Sequence, residues 1–145
     1  MNDRPIDFDS EDCDALQAFL AERIYEFNAQ AIGCFDGKLL GAAIRGATGE
    51  IVAAISGHTW AACCQVTYLW VSAEHRGSGL GRRLLFAAEE EAKRRDCANL
   101  IVSTHTFQAP GFYERLGYTK HAVVLDHPVG HSNIFYIKAL PANGA

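Results

Sequence analysis

Trp70-Val71-Ser72-Ala73-Glu74-His75-Arg76-Gly77-Ser78-Gly79-Leu80-Gly81-Arg82-Arg83 is the passage on which the fold turns. A β-branched and aromatic run, Val66 to Val71, leads into it, three glycines turn it, and a helical pattern leaves it. Such a junction aims several backbone N–H groups and the positive end of a helix dipole at one point, which makes a cradle for phosphate. Glycines suit the cradle because a Cβ would hold a diphosphate away from the backbone. Arg82 and Arg83 fall in the first helical turn, where a cation is ordinarily unfavourable by about 0.3–1 kcal/mol; a bound polyanion reverses that sign. A solvated glycine-rich turn is the plain alternative, and the glycines alone do not separate the two. A Rossmann fingerprint would place its third glycine at Arg82, and the G-K-[ST] of a P-loop is missing, so both nucleotide readings weaken.

On the C-terminal side, Arg82 to Arg95 reads as a helix with Leu84, Leu85, Ala88 and Ala92 on its apolar stripe and Leu80 just before it. A short buried strand follows at Asn99 to Ser103. Pro110 suits the first turn of a short helix on which Phe112 and Leu116 share a core-facing side, with Gly117 as a left-handed stop. Tyr118 to Leu125 and Ser132 to Ala139 read as two strands around a turn rich in Pro, Gly and His.

On the N-terminal side lie three β-like runs, Leu39 to Arg45, Ile51 to Gly57 and Cys63 to Val71, the last being the central strand. Before them, Asp12 to Asn28 carries Leu16, Phe19, Leu20, Ile24 and Phe27 at helical intervals. The order α-β-β-β-α-β-α-β-β predicts an α/β (α+β) mixed sheet, and 145 residues suit one domain over residues 1–145 with unstructured extreme ends.

A formal net charge of −4 supplies no global attraction to nucleic acid or an anionic membrane and leaves amines as tolerated partners. The five cysteines, Cys13, Cys34, Cys63, Cys64 and Cys97, form no C-x-x-C pair, so neither a disulfide framework nor a zinc knuckle is expected. With an acidic N-terminus and no run of membrane-spanning length, the expected location is cytoplasmic. Asp126-His127-Pro128-Val129-Gly130-His131 offers a carboxylate and two imidazoles, yet without further ligands at compatible spacing it reads as a turn and not a metal site.

Two motifs stand in order along the chain: R-x-x-G-x-G as Arg76, Gly79 and Gly81, and F-Y-x-x-x-G-[FY] as Phe112, Tyr113, Gly117 and Tyr118. From Leu39 to Leu140 the chain resembles the GCN5-related N-acetyltransferase (GNAT) superfamily, and among its members small bacterial acetyltransferases of unassigned substrate. Phe107-Gln108-Ala109-Pro110-Gly111-Phe112-Tyr113 and Gly130-His131 belong to that resemblance. It implies a single-domain fold with a mostly antiparallel mixed central sheet flanked by helices and splayed between the central strand and the next. It also implies acetyl-CoA as co-substrate, without a metal, and transfer of acetyl to a primary amine of a small molecule or peptide by direct aminolysis.

Carried over residue by residue, the resemblance gives the backbone of Leu69 and Val71 to the pantetheine arm and Arg76, Gly77, Ser78, Gly79, Leu80, Gly81 and Arg82 to the diphosphate. The Leu69 amide would polarise the thioester carbonyl, a contribution of about 3 kcal/mol for a fixed donor. Tyr113, turned away from the core and toward the cofactor, would be the general acid; a tyrosine packed as a helix anchor with its hydroxyl in water is the plain alternative. The strand side chains at Gln65 and Thr67 are not basic, so a water relay ending at His58 or His105 is the expected route for the amine proton. An ordinary surface or hydrogen-bonded core histidine is the simpler account of either one. Thr106 stands where many relatives carry an asparagine, and no cofactor contact is transferred to that segment. His127 and His131 on one side, and Tyr25, Asn28 and Trp60 on the other, are expected to line the acceptor pocket, although the aromatics among them serve equally well as core. A non-catalytic acyl-CoA-binding module, or a transferase acting on aminoacyl-tRNA or protein, stays open, as does a homodimer.

Overall fold

The computed structural model describes residues 3–142, so Met1, Asn2 and residues 143–145, part of the ends read as unstructured, lie outside the described residues. These form two compact units that meet in the chain at Phe35 and Asp36.

The first unit is built on one helix, α1 (Cys13–Ile32). Asp12 begins it, its carboxylate accepting from the Asp14 and Ala15 amides at 3.1 Å each, and Gly33 ends it at φ 68°. The helix therefore runs past the predicted Asn28 by a full turn. Its stripe of Leu16, Phe19, Leu20, Ile24 and Phe27 is 40–71% exposed, although the spacing alone marks it for burial.

The second unit is a six-stranded mixed sheet, β1 (Lys38–Arg45), β2 (Ile51–Trp60), β3 (Cys63–Val71), β4 (Asn99–His105), β5 (Thr119–Leu125) and β6 (Ser132–Ala139), in the order β1-β2-β3-β4-β6-β5. All neighbours are antiparallel except β3 and β4, which run parallel. The helix α2 (Leu80–Arg94) supplies that crossover, and α3 (Pro110–Arg115) joins β4 to β5.

One face of the sheet carries the core. Leu84, Leu85, Ala88 and Ala92 of α2 pack with Ile55, Cys64, Val66, Leu100, Val102 and Tyr136, and Leu85 and Leu100 are wholly buried. Leu80, expected just before the helix, is its first residue.

β2 reaches Trp60, beyond the expected Gly57. It turns into β3 through Ala61 and Ala62, both at positive φ (49° and 62°), where a two-residue hairpin usually shows Asn-Gly. Tertiary bonds hold this turn: the Ala61 amide donates to Asp36 Oδ1 at 2.9 Å and the Ala98 amide to the Ala62 carbonyl at 2.7 Å.

A polar clasp fixes α2 to the far side of the sheet. Glu89, 6% exposed, accepts from the Tyr118 hydroxyl at 2.8 Å and pairs with Lys138 of β6 at 3.0 Å. Burying a carboxylate is costly unless it is paired and hydrogen-bonded, and both partners are present here. Glu89→Ala leaves the Lys138 ammonium and the Tyr118 hydroxyl without their partner, and we expect a loss of about 2–3 kcal/mol in urea unfolding. A loss below about 0.5 kcal/mol, the range of an ordinary surface substitution, would show that the clasp contributes nothing.

Candidate functional site

The parallel strands pair over only three positions, Cys63–Gln65 against Asn99–Ile101. Beyond them β3 continues to Val71 and β4 to His105 without pairing to each other, so the sheet opens into a cleft. Two irregularities accompany the parting. The β2–β3 register slips between Ser56 and Gly57: Val66 faces Gly57, Tyr68 faces Ser56, and Thr67 is the extra residue of a β-bulge. The core-facing residues of β3 accordingly change phase, from Cys64 and Val66 before the bulge to Leu69 and Val71 after it. At Gly57 a Cβ would lie 2.0 Å from the Gln65 carbonyl oxygen, so the bulge requires a glycine opposite it.

The direction of the β3 backbone follows from one hydrogen bond. The Ser72 amide donates to the Val52 carbonyl at 2.8 Å, on the β2 side. Antiparallel ladders alternate with period two, so Trp70 and Tyr68 also turn their polar groups toward β2, while Leu69 and Val71 turn theirs into the cleft.

At the end of β3 a single 3-10 turn, Ala73–His75, carries the chain into the glycine loop. The Ser72 hydroxyl meets His75 Nδ1 at 2.7 Å, the Ser78 hydroxyl bonds the His75 carbonyl, and Arg76 Nε donates to the Val71 carbonyl at 3.3 Å. Gly77 and Gly79 sit at φ 75° and 83°, and a Cβ on either would meet no protein atom. Left-handed backbone geometry, not crowding within the chain, is thus what demands glycine there. Gly81 lies in the first turn of α2, where a Cβ would touch Phe112 and Val71 at an ordinary 3.6 Å. No side chain caps α2, its first turn holds no acid, and among the described residues no protein group accepts from the amides of Gly77 to Arg82. Arg82 and Arg83 stand beside these donors. Backbone donors, helix dipole and cations converge here as a diphosphate requires, and the cleft edge of β3 offers the alternating donors and acceptors of an amide-bearing arm.

Tyr113 departs from expectation. It is the most buried residue of α3, 6% exposed, whereas Phe112 and Leu116 are half-buried around it. Its ring stacks on Tyr136 at 5.8 Å and meets Tyr118 and Phe112 edge-on. The short helix therefore points its tyrosine inward, because the ring of Tyr136 on β6 offers it a flat surface. Among the described residues no protein group hydrogen-bonds the hydroxyl and no buried side-chain polar atom lacks a partner, so the hydroxyl keeps some contact with solvent. Burial pushes its pKa up to about 12, further above the neutral pH at which a phenol is already protonated.

The histidines divide. His58 is inside β2, opposite Gln65 in the paired part of the sheet, while His105 ends β4 at the open mouth. Phe107 stacks on His105 at 5.3 Å and meets His131 edge-on at 4.9 Å, so the β4–α3 and β5–β6 loops meet in an aromatic and imidazole wall. His127 is exposed in the β5–β6 turn, where Asp126 is engaged in accepting from the Gly130 amide at 3.1 Å. Trp60 corrects the sequence reading: it pairs with Cys63 at the closed end of β3, beside Arg95 and Cys97, a full strand length from the glycine loop. Tyr25 and Asn28 are half-buried residues of α1, in the first unit. Sequence reasoning missed the bulge and the Gln108 contacts to His105; the broken alternation after Val66 was the available sign of the bulge.

The acetyltransferase (GNAT) family profile matches residues 8–118. A blasticidin-S acetyltransferase from Streptomyces morookaense is 41% identical over 96 residues, covering 66% of this chain and 71% of that protein. A crystal structure of an acetyltransferase from Agrobacterium tumefaciens superposes with a TM-score of 0.81 at 29% identity, over 94% of this chain and 98% of the other. A streptothricin acetyltransferase from Bacillus anthracis, crystallised with acetyl coenzyme A, shares the fold with a TM-score of 0.63 at 17% identity, over 71% and 63% of the two chains.

Two measurements test this geometry. Gly57→Ala must displace the Gln65 carbonyl, and we expect a stability loss of about 1–3 kcal/mol, typical of overpacking, together with weaker coenzyme A binding in calorimetry. Unchanged binding would show that the bulge does not shape the cleft. In an ultraviolet pH titration of wild type against Tyr113→Phe, the phenol missing from the variant should be one that ionises near pH 12 and not near 10. Because the folded pKa is the raised one, Tyr113 supports the fold fully below about pH 10 and loses that support as pH rises toward 12.

Proposed function

Because this chain belongs to the acetyltransferase (GNAT) family, we propose that it moves an acetyl group from acetyl-CoA to a primary amine of a small molecule, the chain acting as one domain. The observation that carries the proposal is the combination of three features in one unit: the parted β3–β4 edge, the uncapped start of α2 and the protonated Tyr113. The family match crosses from residue 8 into the second unit, which supports the single-domain reading.

Leu69 and Val71 would bind the pantetheine amides along the cleft edge, and the amides of Gly77 to Arg82 would bind the diphosphate, with Arg76, Arg82 and Arg83 neutralising it. When bound, acetyl-CoA supplies a thioester carbonyl open to attack by an amine and a thiol as leaving group. The Leu69 N–H would face negative charge growing on a carbonyl oxygen placed at that edge. Tyr113 would hold its proton ready for a departing sulfur, since a phenol, whether at its ordinary pKa or at the raised one, is neutral at pH 7 and can donate. Of the two candidate histidines, His105 stands at the mouth of the cleft and His58 does not, so the relay reading is retained for His105 alone. His131, touching Phe107, fits the acceptor wall better than Trp60.

Blasticidin S is the first acceptor to test, given the relative that acts on it. A small-molecule amine suits the acidic composition, and an aminoacyl-tRNA lacks a basic stripe to bind. The absence of a basic side chain at Gln65 and Thr67 favours one second reading, an acyl-CoA sensor without turnover. Thiol release from acetyl-CoA across a panel of amines headed by blasticidin S distinguishes the two. Tyr113→Phe should bind coenzyme A as wild type does while kcat falls about 100-fold. Equal kcat values would remove Tyr113 from the chemistry, and no thiol release with any amine would favour the sensor.

A further inference from the structure

The side chain of Gln108 closes on the residues just before it. Its Oε1 lies 2.8 Å from the His105 amide nitrogen, 3.1 Å from His105 Nδ1 and 3.3 Å from the Thr104 hydroxyl. Thr104, 5% exposed, in turn accepts from the Ala109 amide at 3.4 Å, and the Gln108 amide donates to the His105 carbonyl at 2.9 Å.

Donor and acceptor roles in this knot are fixed by its backbone members. An amide N–H can only donate, so the group facing the His105 amide must be the carbonyl oxygen of Gln108 and not its NH2. The Ala109 amide leads to the same result: it donates to Thr104 Oγ1, whose own proton is then free to go to Oε1. With an acceptor held 3.1 Å from Nδ1, the neutral imidazole keeps its proton on Nδ1 and its lone pair on Nε2. The ring plane is set as well, because Phe107 stacks on it at 5.3 Å with 3° between the planes. Among the described residues no protein group bonds Nε2. Burial alternates along β4, with Val102 and Thr104 on the core face, so Ser103 and His105 belong to the opposite face.

We propose that Gln108 is a positioning residue that fixes His105 as its Nδ1–H tautomer and so presents the Nε2 lone pair, at the mouth of the cleft, to the proton of an incoming amine. This deepens the functional reading above and rests on it. Nε2 would take one proton from an acceptor ammonium, leaving a neutral amine and an imidazolium whose Nδ1–H stays on Gln108 Oε1. Titratable groups near this end of the sheet include His131, across Phe107, Asp126 and His127 in the same loop, and the exposed Tyr68 on the facing strand β3; among the described residues none of them hydrogen-bonds the His105 ring. Asn133 is its uncharged partner on β6.

Nitrogen-15 NMR of histidine-labelled protein at high pH should show His105 with a protonated Nδ1 and an unprotonated Nε2, and a mixture of tautomers in Gln108→Leu. Gln108→Glu places a carboxylate on Nδ1, so the His105 imidazolium should persist to higher pH. The acid limb of kcat/KM for blasticidin S should move in the same direction while the high-pH plateau is kept. Gln108→Leu should lower that plateau about 10-fold without changing coenzyme A affinity, and His105→Asn about 100-fold. An Nε2–H tautomer in the wild type, or a pH profile unmoved in Gln108→Glu, overturns the proposal. Failure of the underlying reading is separately visible: no coenzyme A binding in calorimetry, or no thiol release with any amine, removes the base role while leaving the tautomer as measured.

Discussion

The parting of β3 from β4 after Gln65 and Ile101 is the constraint from which the rest of this molecule follows. A central sheet seam left unpaired exposes peptide groups that would ordinarily be satisfied by a neighbour, and such groups are costly when buried. Here that edge faces an opening, and Leu69 and Val71 keep their N–H and C=O groups directed into it. The bulge at Thr67 changes which residues of the strand face the core: before it the side chains of Cys64 and Val66 fill the core, and after it Leu69 and Val71 resume that task in shifted phase. Gly57 is the partner without which this displacement could not be accommodated.

Around the opening, the remaining elements have distinct mechanical roles. The glycine loop and α2 close one end with donors and cations, while the Glu89–Lys138–Tyr118 clasp ties α2 across the sheet to β6. The same β6 supplies Tyr136, on which Tyr113 stacks. Helix position and phenol position are therefore referenced to one strand. The loops after β4 and β5 meet at Phe107, whose ring touches the imidazole of His105 on one side and that of His131 on the other. Two segments distant in the chain thus share a single wall beside the mouth of the cleft.

Much of this was legible in the residues. Glycine spacing and the strand before it marked the loop, the helical stripe of α2 marked the core face, and the order of elements pointed to a mixed sheet. What was not legible depended on through-space partners. β2 could not be followed to Trp60 because its turn is made by Ala61 and Ala62, whose positive φ values are supported by Asp36 and Ala98 and not by their own chemistry. Tyr113 was expected to turn outward because a six-residue helix carries too little periodicity to say which face is buried; the flat surface offered by Tyr136 decided it. His58 and His105 looked alike in sequence, and only the strand register separates one in the paired sheet from one at its open end.

The alanine pair has a meaning of its own. Two side-chain-bearing residues held in left-handed geometry cost roughly 1–2 kcal/mol each, and they sit at the closed end of β3, a strand length from the glycine loop. The hairpin tip therefore lies apart from the candidate site, and it could be rebuilt with residues that favour such a turn while the open end kept its shape.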